Sequence, residues 1–170
     1  MRLYTERLTL IPFSRDLVQL AMTDKAALGH LLDARVPADW PGPDLEEILP
    51  FIDDAQAAKP ERAQWIMIIL HTTDRTLIGS AGFKDLPDEL GTVELGYGLI
   101  TAYRGQGYAT EAGRALSAWA SSQPHVRRVT AECLHDNLPS IRVLERLGMR
   151  RTGRDGDLLQ WELLPEEKGA

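Results

Sequence analysis

The spacing of apolar residues changes along the chain, from a helical repeat in the first third to a strand repeat in the middle. The strand repeat and a short alternating segment near the start predict seven strands: Arg7–Ile11, Gln64–Leu70, Thr76–Phe83, Thr92–Ile100, Arg127–Cys133, Met149–Gly153 and Asp157–Leu164. The helical repeat predicts five helices: Ser14–Met22, Lys25–Leu32, Asp44–Ala58 with an interruption at Pro50 left open, Gly107–Ser121 and Leu138–Leu147.

The order of these elements indicates an α/β protein of the mixed α+β kind. A strand and helices come first, antiparallel strands follow, and the chain then alternates between strands and helices, which predicts a mixed sheet with helices on its faces. A length of 170 residues suits one hydrophobic core. We therefore expect a single domain over residues 1–165 and a disordered tail over residues 166–170.

Bulk properties exclude several classes of protein. The lone cysteine, Cys133, cannot form an internal disulfide, and alternation along its strand turns it toward the core. The four histidines lack metal-ligand spacing, so we predict no metal. The start of the chain shows no signal peptide, and the longest apolar run, Trp65–Leu70, is too short to span a membrane. These features predict a cytoplasmic protein that does not bind membranes.

Charge is unevenly distributed along the sequence. The segment Arg104–Arg154 holds nine arginines and four acidic residues, a net charge of +5, whereas the whole chain carries −6, which leaves −11 for the remainder. A basic segment suits a phosphorylated ligand, and an acidic remainder suits a cationic substrate and disfavours nucleic acid. Scattered surface charge would give the same numbers, so the choice depends on the motifs.

One such motif is a glycine-rich turn between a strand and a helix. Gly105 and Gly107 permit positive φ and let bare backbone approach a ligand, and the helix that follows begins with unpaired N–H groups. Together these features are typical of a phosphate site, although glycine also serves ordinary turns. The preceding strand carries Glu94, Gly96 and Gly98 on one face, and paired glycines in a strand often mark the close approach of a ligand.

These residues resemble a known family. Arg104-x-x-Gly107-x-Ala109 is similar to the signature of the GCN5-related N-acetyltransferases (GNAT), and Asn137–Met149 is similar to the second motif of that family. The start Thr5–Leu10 resembles the subgroup of ribosomal-protein N-terminal acetyltransferases of the RimJ/RimL type. The resemblance covers nearly the whole chain, is strong over Val93–Gly153 and is loose over Ile11–Pro60.

The resemblance implies a fold and a cosubstrate. The fold is a mixed, mostly antiparallel sheet of about seven strands, in which a parallel pair splays apart around the pantetheine arm of acetyl-CoA. The implied contacts with the cosubstrate come from the turn, from the end of the strand before it and from the second motif: Leu99, Ile100, Arg104, Gly105, Gln106, Gly107, Tyr108, Ala109, Thr110 and Asn137. Asn137 also suits a helix N-cap.

The implied reaction is direct attack of a primary amine on the thioester, in a ternary complex. Glu94 is the candidate base, with an ion pair to a surface Lys or Arg as the alternative. Many family members place a tyrosine at the position of Leu144, where this chain departs from the pattern. The resemblance to the RimJ/RimL subgroup implies Ser140 as the acid instead; the alternatives are an ordinary serine in the first turn of the helix and departure of the thiolate without an acid. A backbone N–H near Leu99 or Ile100 would bind the thioester oxygen.

The acceptor is left open by the sequence. The start of the chain suggests a protein N-terminus, and the acidic remainder also suits polyamines or aminoglycosides. The alternatives to an enzyme are a non-catalytic acyl-CoA-binding sensor, which the loss of tyrosine at Leu144 favours, and an interaction domain. We expect a monomer or a homodimer, the latter through strands near the C-terminus.

Overall fold

A computed structural model describes residues 1–163, so the predicted tail at residues 166–170 lies outside the described part of the chain. The structure contains eight strands: β1 (Leu3–Tyr4), β2 (Leu8–Pro12), β3 (Ile66–His71), β4 (Thr76–Phe83), β5 (Thr92–Leu99), β6 (Arg128–Leu134), β7 (Arg150–Asp155) and β8 (Leu158–Leu163). It contains five α-helices: α1 (Arg15–Thr23), α2 (Lys25–Leu32), α3 (Pro43–Ala58), α4 (Tyr108–Ser122) and α5 (Leu138–Arg146). Short 3-10 turns cover Pro60–Gln64 and Thr101–Tyr103.

All eight strands form one sheet in the order β1-β2-β3-β4-β5-β6-β8-β7. The mixed-sheet prediction is confirmed, and the strand that the sequence pattern missed is β1, whose two residues are too few to show a period. No helix within residues 1–163 combines the length and the apolar character that crossing a bilayer requires.

Among the eight strands of residues 1–163, only the neighbours β5 and β6 run parallel, and they separate after four pairs. Their pairing runs from Thr92 opposite Arg128 to Leu95 opposite Ala131. Beyond that point β5 continues to pair with β4 and β6 continues to pair with β8, but not with each other. This separation confirms the predicted splay, and it opens a gap beside the last four residues of β5.

Both faces of the sheet are buried at strand β3. Met67 and Ile69 pack into the core beneath α4 and α5, whereas Ile68 and Leu70 pack into a second core beneath α1–α3. The two sets alternate because successive strand residues point to opposite faces. Truncation of Ile69 to Ala would therefore lower the free energy of unfolding by about 2–5 kcal/mol.

Helix α3 continues through Pro50 without interruption. Pro50 lacks the N–H that would bond the carbonyl of Glu46, but it lies on the exposed side of the helix, where water can bond that carbonyl. Burial of Leu49 and Ile52 on the opposite side holds the helix together. Tertiary packing thus outweighs the local cost of the proline.

The proline-rich loop before α3 is anchored by Trp40. Its side chain is fully buried, its Nε1 donates to the carbonyl of Gly79 at 3.3 Å, and its ring meets Phe13 edge-on. Trp40 therefore belongs to the core and does not line a cleft. Anchoring the loop places Pro41–Pro43 and the start of α3 over the sheet, above the open end of β5.

Candidate active site

The predicted anion-binding turn joins β5 to α4 with two glycines in the left-handed region. Gly105 has φ +71° and Gly107 has φ +85°, and α4 begins directly afterwards at Tyr108. A Cβ built at Gly105 would meet no atom within 4 Å, and one at Gly107 would meet only Arg7 Nη2, at 3.4 Å. Open space therefore lies before the unpaired N–H groups of the first turn of the helix, which fits the diphosphate of a coenzyme A.

Side chains of the turn fold back onto the protein. Arg104 Nε donates to the carbonyl of Leu99 at 2.9 Å, and Gln106 Nε2 donates to the carbonyl of Ala102 at 3.1 Å. Thr110 Oγ1, in the first turn of α4, is buried and has no hydrogen-bond partner among the described residues. The turn is thus held in shape by its own side chains, and one buried polar atom remains for a ligand.

Arg7 braces this turn from the N-terminal segment. Its guanidinium lies 4.3 Å from the centre of the Tyr108 ring, its Nη1 donates to the carbonyl of Gln106 at 3.0 Å, and its Nε donates to Glu111 at 2.7 Å. The sequence pattern placed Arg7 at the start of a strand and within the RimJ/RimL-like segment, and predicted no contact with the turn. Its partners lie about a hundred positions away in the chain, and no local period indicates such a contact.

A cavity of about 310 Å³ lies beside the turn. Its wall is more basic than acidic, with three arginines and two glutamates; the lining residues are Glu6, Arg7, Gly107, Thr110, Glu111, Arg114 and Arg146. Arg114 and Arg146 come from α4 and α5, so two of the nine arginines of the basic segment lie beside the turn. This electrostatic setting suits phosphate groups.

Backbone amides at the end of β5 face two directions. The backbone N–H of Ile100 donates to the carbonyl of Ile78 at 2.8 Å, and the backbone N–H of Lys84, directly after β4, donates to the carbonyl of Glu94. The even-numbered residues of this segment therefore bond toward β4. By alternation, Leu99 turns its N–H toward the gap left by β6. Of the two amides named from the sequence, the one at Leu99 is free to bind a thioester oxygen, because the one at Ile100 is engaged in the sheet.

Glu94 lies on β5, next to the point where the strands separate. Its carboxylate contacts the ammonium of Lys84, and Glu132 Oε2 lies 3.9 Å from the same ammonium. The ion pair is the alternative that the sequence left open for Glu94. The carboxylate is more buried than its partner, with 28% of its side chain exposed against 60% for Lys84, so the lysine is the member that moves more freely.

The N-terminal turn of α5 brings the remaining candidates together. Asn137 Oδ1 accepts the N–H of Ser140 at 3.2 Å, the capping role expected from the sequence. Leu144 is buried in the core. Tyr97, which alternation along β5 puts on the face opposite Glu94, reaches across the gap and donates through its hydroxyl to the carbonyl of Ser140 at 3.4 Å. Burial raises the pKa of Tyr97 and outweighs the opposing effect of that hydrogen bond.

A second, larger cavity of about 520 Å³ opens on the other side of the gap, between α3 and the strands β4 and β5. Gly96 and Gly98 form part of its floor, and a Cβ at either glycine would meet no atom within 4 Å. Because the floor belongs to the splayed end of β5, the cavity and the anion-binding turn flank the same gap. Amines held in the cavity would therefore lie beside any thioester held in the gap.

Comparison with known proteins agrees with this geometry. Residues 7–150 match the family model described as an acetyltransferase (GNAT) domain. The N-acetyltransferase YjdG of Bacillus subtilis (strain 168), itself uncharacterized, is 32% identical over 126 residues, which cover 72% of this chain and 74% of that protein.

Solved structures with similar folds include acetyltransferases of ribosomal proteins. The ribosomal-protein-S5-alanine acetyltransferase from Vibrio fischeri superposes with a TM-score of 0.72 at 14% identity, over 100% of both chains. The RimL ribosomal L7/L12 α-N-protein acetyltransferase, solved in complex with coenzyme A, superposes with a TM-score of 0.68 at 19% identity, over 96% of this chain and 98% of the other. At these identities the likeness is one of fold.

Proposed function

We propose, from the premise that the chain belongs to the GNAT family of acetyltransferases, that its acceptor is a primary amine, either a protein N-terminus or a small amine. The chain is an acetyl-CoA-dependent N-acetyltransferase. Acetyl-CoA supplies a thioester, whose carbonyl carbon is the electrophile for direct attack by the amine in a ternary complex. The continuous sheet supports one acyltransferase domain over residues 1–165.

The observation that carries the proposal is the position of the glycine turn beside the splayed strands. The backbone of Arg104–Thr110 would hold the diphosphate, with Arg7 and Thr110 supporting it. Leu99, Ile100 and Asn137 are the proposed contacts of the pantetheine arm, which would lie in the gap, and the Leu99 amide would donate to the thioester oxygen. Such a preorganised donor stabilises the charge that develops on this oxygen.

Glu94 is the proposed acceptor of the amine proton. An alkylammonium titrates near pH 10, so the amine must lose a proton before it attacks. The ion pair with Lys84 does not prevent this role, because a pair with one exposed member is worth only about 0–1 kcal/mol and breaks readily. Lys84 is the more exposed member, so it can swing away while the carboxylate stays in place.

Ser140 and Tyr97 are the proposed donors to the sulfur that leaves. A phenol with a pKa near 10 is a much stronger acid than an alcohol, and it is closer in acidity to the coenzyme thiol. Tyr97 therefore ranks first for proton donation, and the Ser140 hydroxyl is the second proposed hydrogen-bond donor to sulfur. The phenol on β5 would take the place of the tyrosine that Leu144 replaces on α5.

The alternative function is a non-catalytic sensor of acyl-CoA. Leu144 favours it, whereas the phenol of Tyr97 and the carboxylate of Glu94 beside the gap favour an enzyme. The test is thiol release from acetyl-CoA in the presence of a panel of amines and peptide N-termini. An enzyme releases thiol in proportion to acetylated amine, and a sensor binds acetyl-CoA without amine-dependent release. The ribosomal-protein acetyltransferases among the structural neighbours support including peptides.

The oligomeric state is proposed to be a monomer or a homodimer. Strand β7 is an edge strand, which leaves one row of backbone groups for pairing with another chain.

A further inference from the structure

We infer that the cavity beside α3 selects a primary amine that carries a single positive charge on an apolar body. The inference rests on the proposed function and specifies its substrate class. It is carried by the chemistry of the cavity wall and by the ion pairs of the charged residues around it.

The apolar wall is formed by exposed side chains of α3. Ile48 and Phe51 line the cavity although 45% and 71% of their surfaces are exposed. Residues three apart on a helix lie on the same side, so the two side chains form one continuous surface. Leu45, also lining the cavity, extends this surface toward the N-terminus of the helix. An apolar ligand would remove this surface from water, and burial of that kind is favourable.

The position of the cavity fits an acceptor. Gly96 and Gly98 on its floor precede Leu99, whose amide faces the gap, and Arg104 of the anion-binding turn also lines it. A volume of about 520 Å³ lies within the range of small-molecule sites, roughly 300–1,000 Å³. An amine whose body lies against Phe51 could thus direct its nitrogen toward the gap.

The charges around the cavity do not suit a polycation. Five charged residues line it: Asp44, Arg62, Lys84, Asp85 and Arg104. Asp85 is paired with Arg62 at 2.7 Å, so Asp44 is the one lining carboxylate without an ion-pair partner in the described part of the chain. Polyamines and aminoglycosides carry several ammonium groups and would meet three cationic side chains and two carboxylates here, one of which is already paired with Arg62. The acidic remainder of the sequence therefore does not gather in this cavity.

A comparison of amines tests the selection. The probes are 2-phenylethylamine, ethylamine and spermidine, together with two peptide amides that begin with Phe or with Gly. Affinity is measured by calorimetry with coenzyme-A-saturated protein, and kcat/KM is measured by thiol release. Since each buried methylene contributes about fourfold in affinity, 2-phenylethylamine should exceed ethylamine by about twentyfold or more. Preference for the Phe peptide over the Gly peptide would identify a protein N-terminus as the source of the apolar amine.

Substitution of the wall supplies the matched control. Phe51→Ser should lower kcat/KM for 2-phenylethylamine by about tenfold while kcat/KM for ethylamine changes by less than about twofold. Leu31→Ser removes a similarly exposed apolar side chain, 64% exposed on α2 and outside the cavity, and should change neither value. Thermal midpoints of both variants check that they are folded.

The outcomes separate the inference from the proposed function. If spermidine or ethylamine were acetylated as efficiently as 2-phenylethylamine, the inference would be overturned and the transferase function would stand. Equal effects of Phe51→Ser and Leu31→Ser would lead to the same conclusion. Absence of thiol release with every probe, together with absence of amine binding, would overturn both.

Discussion

Arg7 and Glu111 form a two-point contact between the N-terminal segment and the first turn of α4. The backbone N–H of Arg7 donates to Glu111 Oε1 at 2.8 Å, and its Nε donates to Glu111 Oε2 at 2.7 Å. Thr5 Oγ1 donates to the same carboxylate at 2.6 Å. The contact gives a structural role to the Thr5–Arg7 segment, because it fixes the start of the helix whose N-terminus forms the proposed diphosphate site.

Glu111→Gln should destabilise the protein in a pH-dependent way. Burial raises the pKa of Glu111, but hydrogen bonds from Thr5 and Arg7 outweigh it, so the net shift is downward. A lowered pKa contributes stability above the ordinary carboxyl pKa of about 4.3, and this contribution is lost as pH falls toward the folded-state value.

Urea unfolding measures this effect. We expect the variant to be less stable by about 2 kcal/mol at neutral pH, with the difference shrinking as the pH falls below about 4.3. Glu46→Gln is the control, since its carboxylate is exposed and has a single contact at 3.8 Å. A difference that stayed constant with pH would show that the ionised carboxylate is not responsible.

Arg7→Lys should weaken binding of acetyl-CoA without weakening binding of acetyl-pantetheine, which has no diphosphate. Lysine keeps the charge but cannot donate to Gln106 and Glu111 together, so the turn loses its brace. Calorimetry should show a loss of about tenfold for the full cosubstrate. Equal losses for both compounds would indicate a general structural defect, and Arg15→Lys, a surface arginine paired with Asp53, controls for the substitution type.

Glu94→Gln should lower kcat/KM by about a hundredfold, the contribution typical of a general base. Glu132→Gln is the control because Glu132 also lies near Lys84 but at 3.9 Å. A loss below about threefold would contradict the role of Glu94 as the base and would leave it only the ion pair with Lys84.

Tyr97→Phe should reduce kcat by about tenfold at neutral pH, since the phenol that Phe lacks is the proposed proton donor. Burial raises the pKa of Tyr97, so the group stays protonated throughout the neutral range. Ser140→Ala should have a smaller effect. Steady-state thiol release measures both, with the exposed Tyr4→Phe as control. If Ser140→Ala alone abolished turnover, the order of the two donors would be reversed.

Much of the fold was predictable because it depends on local patterns. The alternation in β5, the cap at Asn137 and the glycine turn each express a preference of a few neighbouring residues, and all three are present. Gly148 follows α5 with φ +83°, the left-handed conformation in which glycine commonly ends a helix. Continuity of α3 through Pro50 was not predictable, because it depends on burial against other elements.

The candidate site was predictable only in part, because several of its contacts join distant segments. Arg7 contacts Glu111 and Gln106, which lie about a hundred positions later in the sequence. Tyr97 reads as an ordinary apolar strand residue, and only the separation of β5 from β6 allows its hydroxyl to reach Ser140. The acceptor cavity likewise depends on how α3 lies over the sheet.

Calorimetric titration with acetyl-CoA of the native chain and a Gly107→Glu variant tests the central claim most directly. Glutamate at this position would place a carboxylate where the diphosphate is expected and would strain a residue with φ +85°. Gly156→Glu is the control, since Gly156 also has positive φ, +56°, and lies in the turn between β7 and β8. We predict that the native chain and the Gly156 variant bind acetyl-CoA and that the folded Gly107 variant does not. Equal binding by all three proteins, or no binding by the native chain, would contradict the assignment of this turn to the cosubstrate.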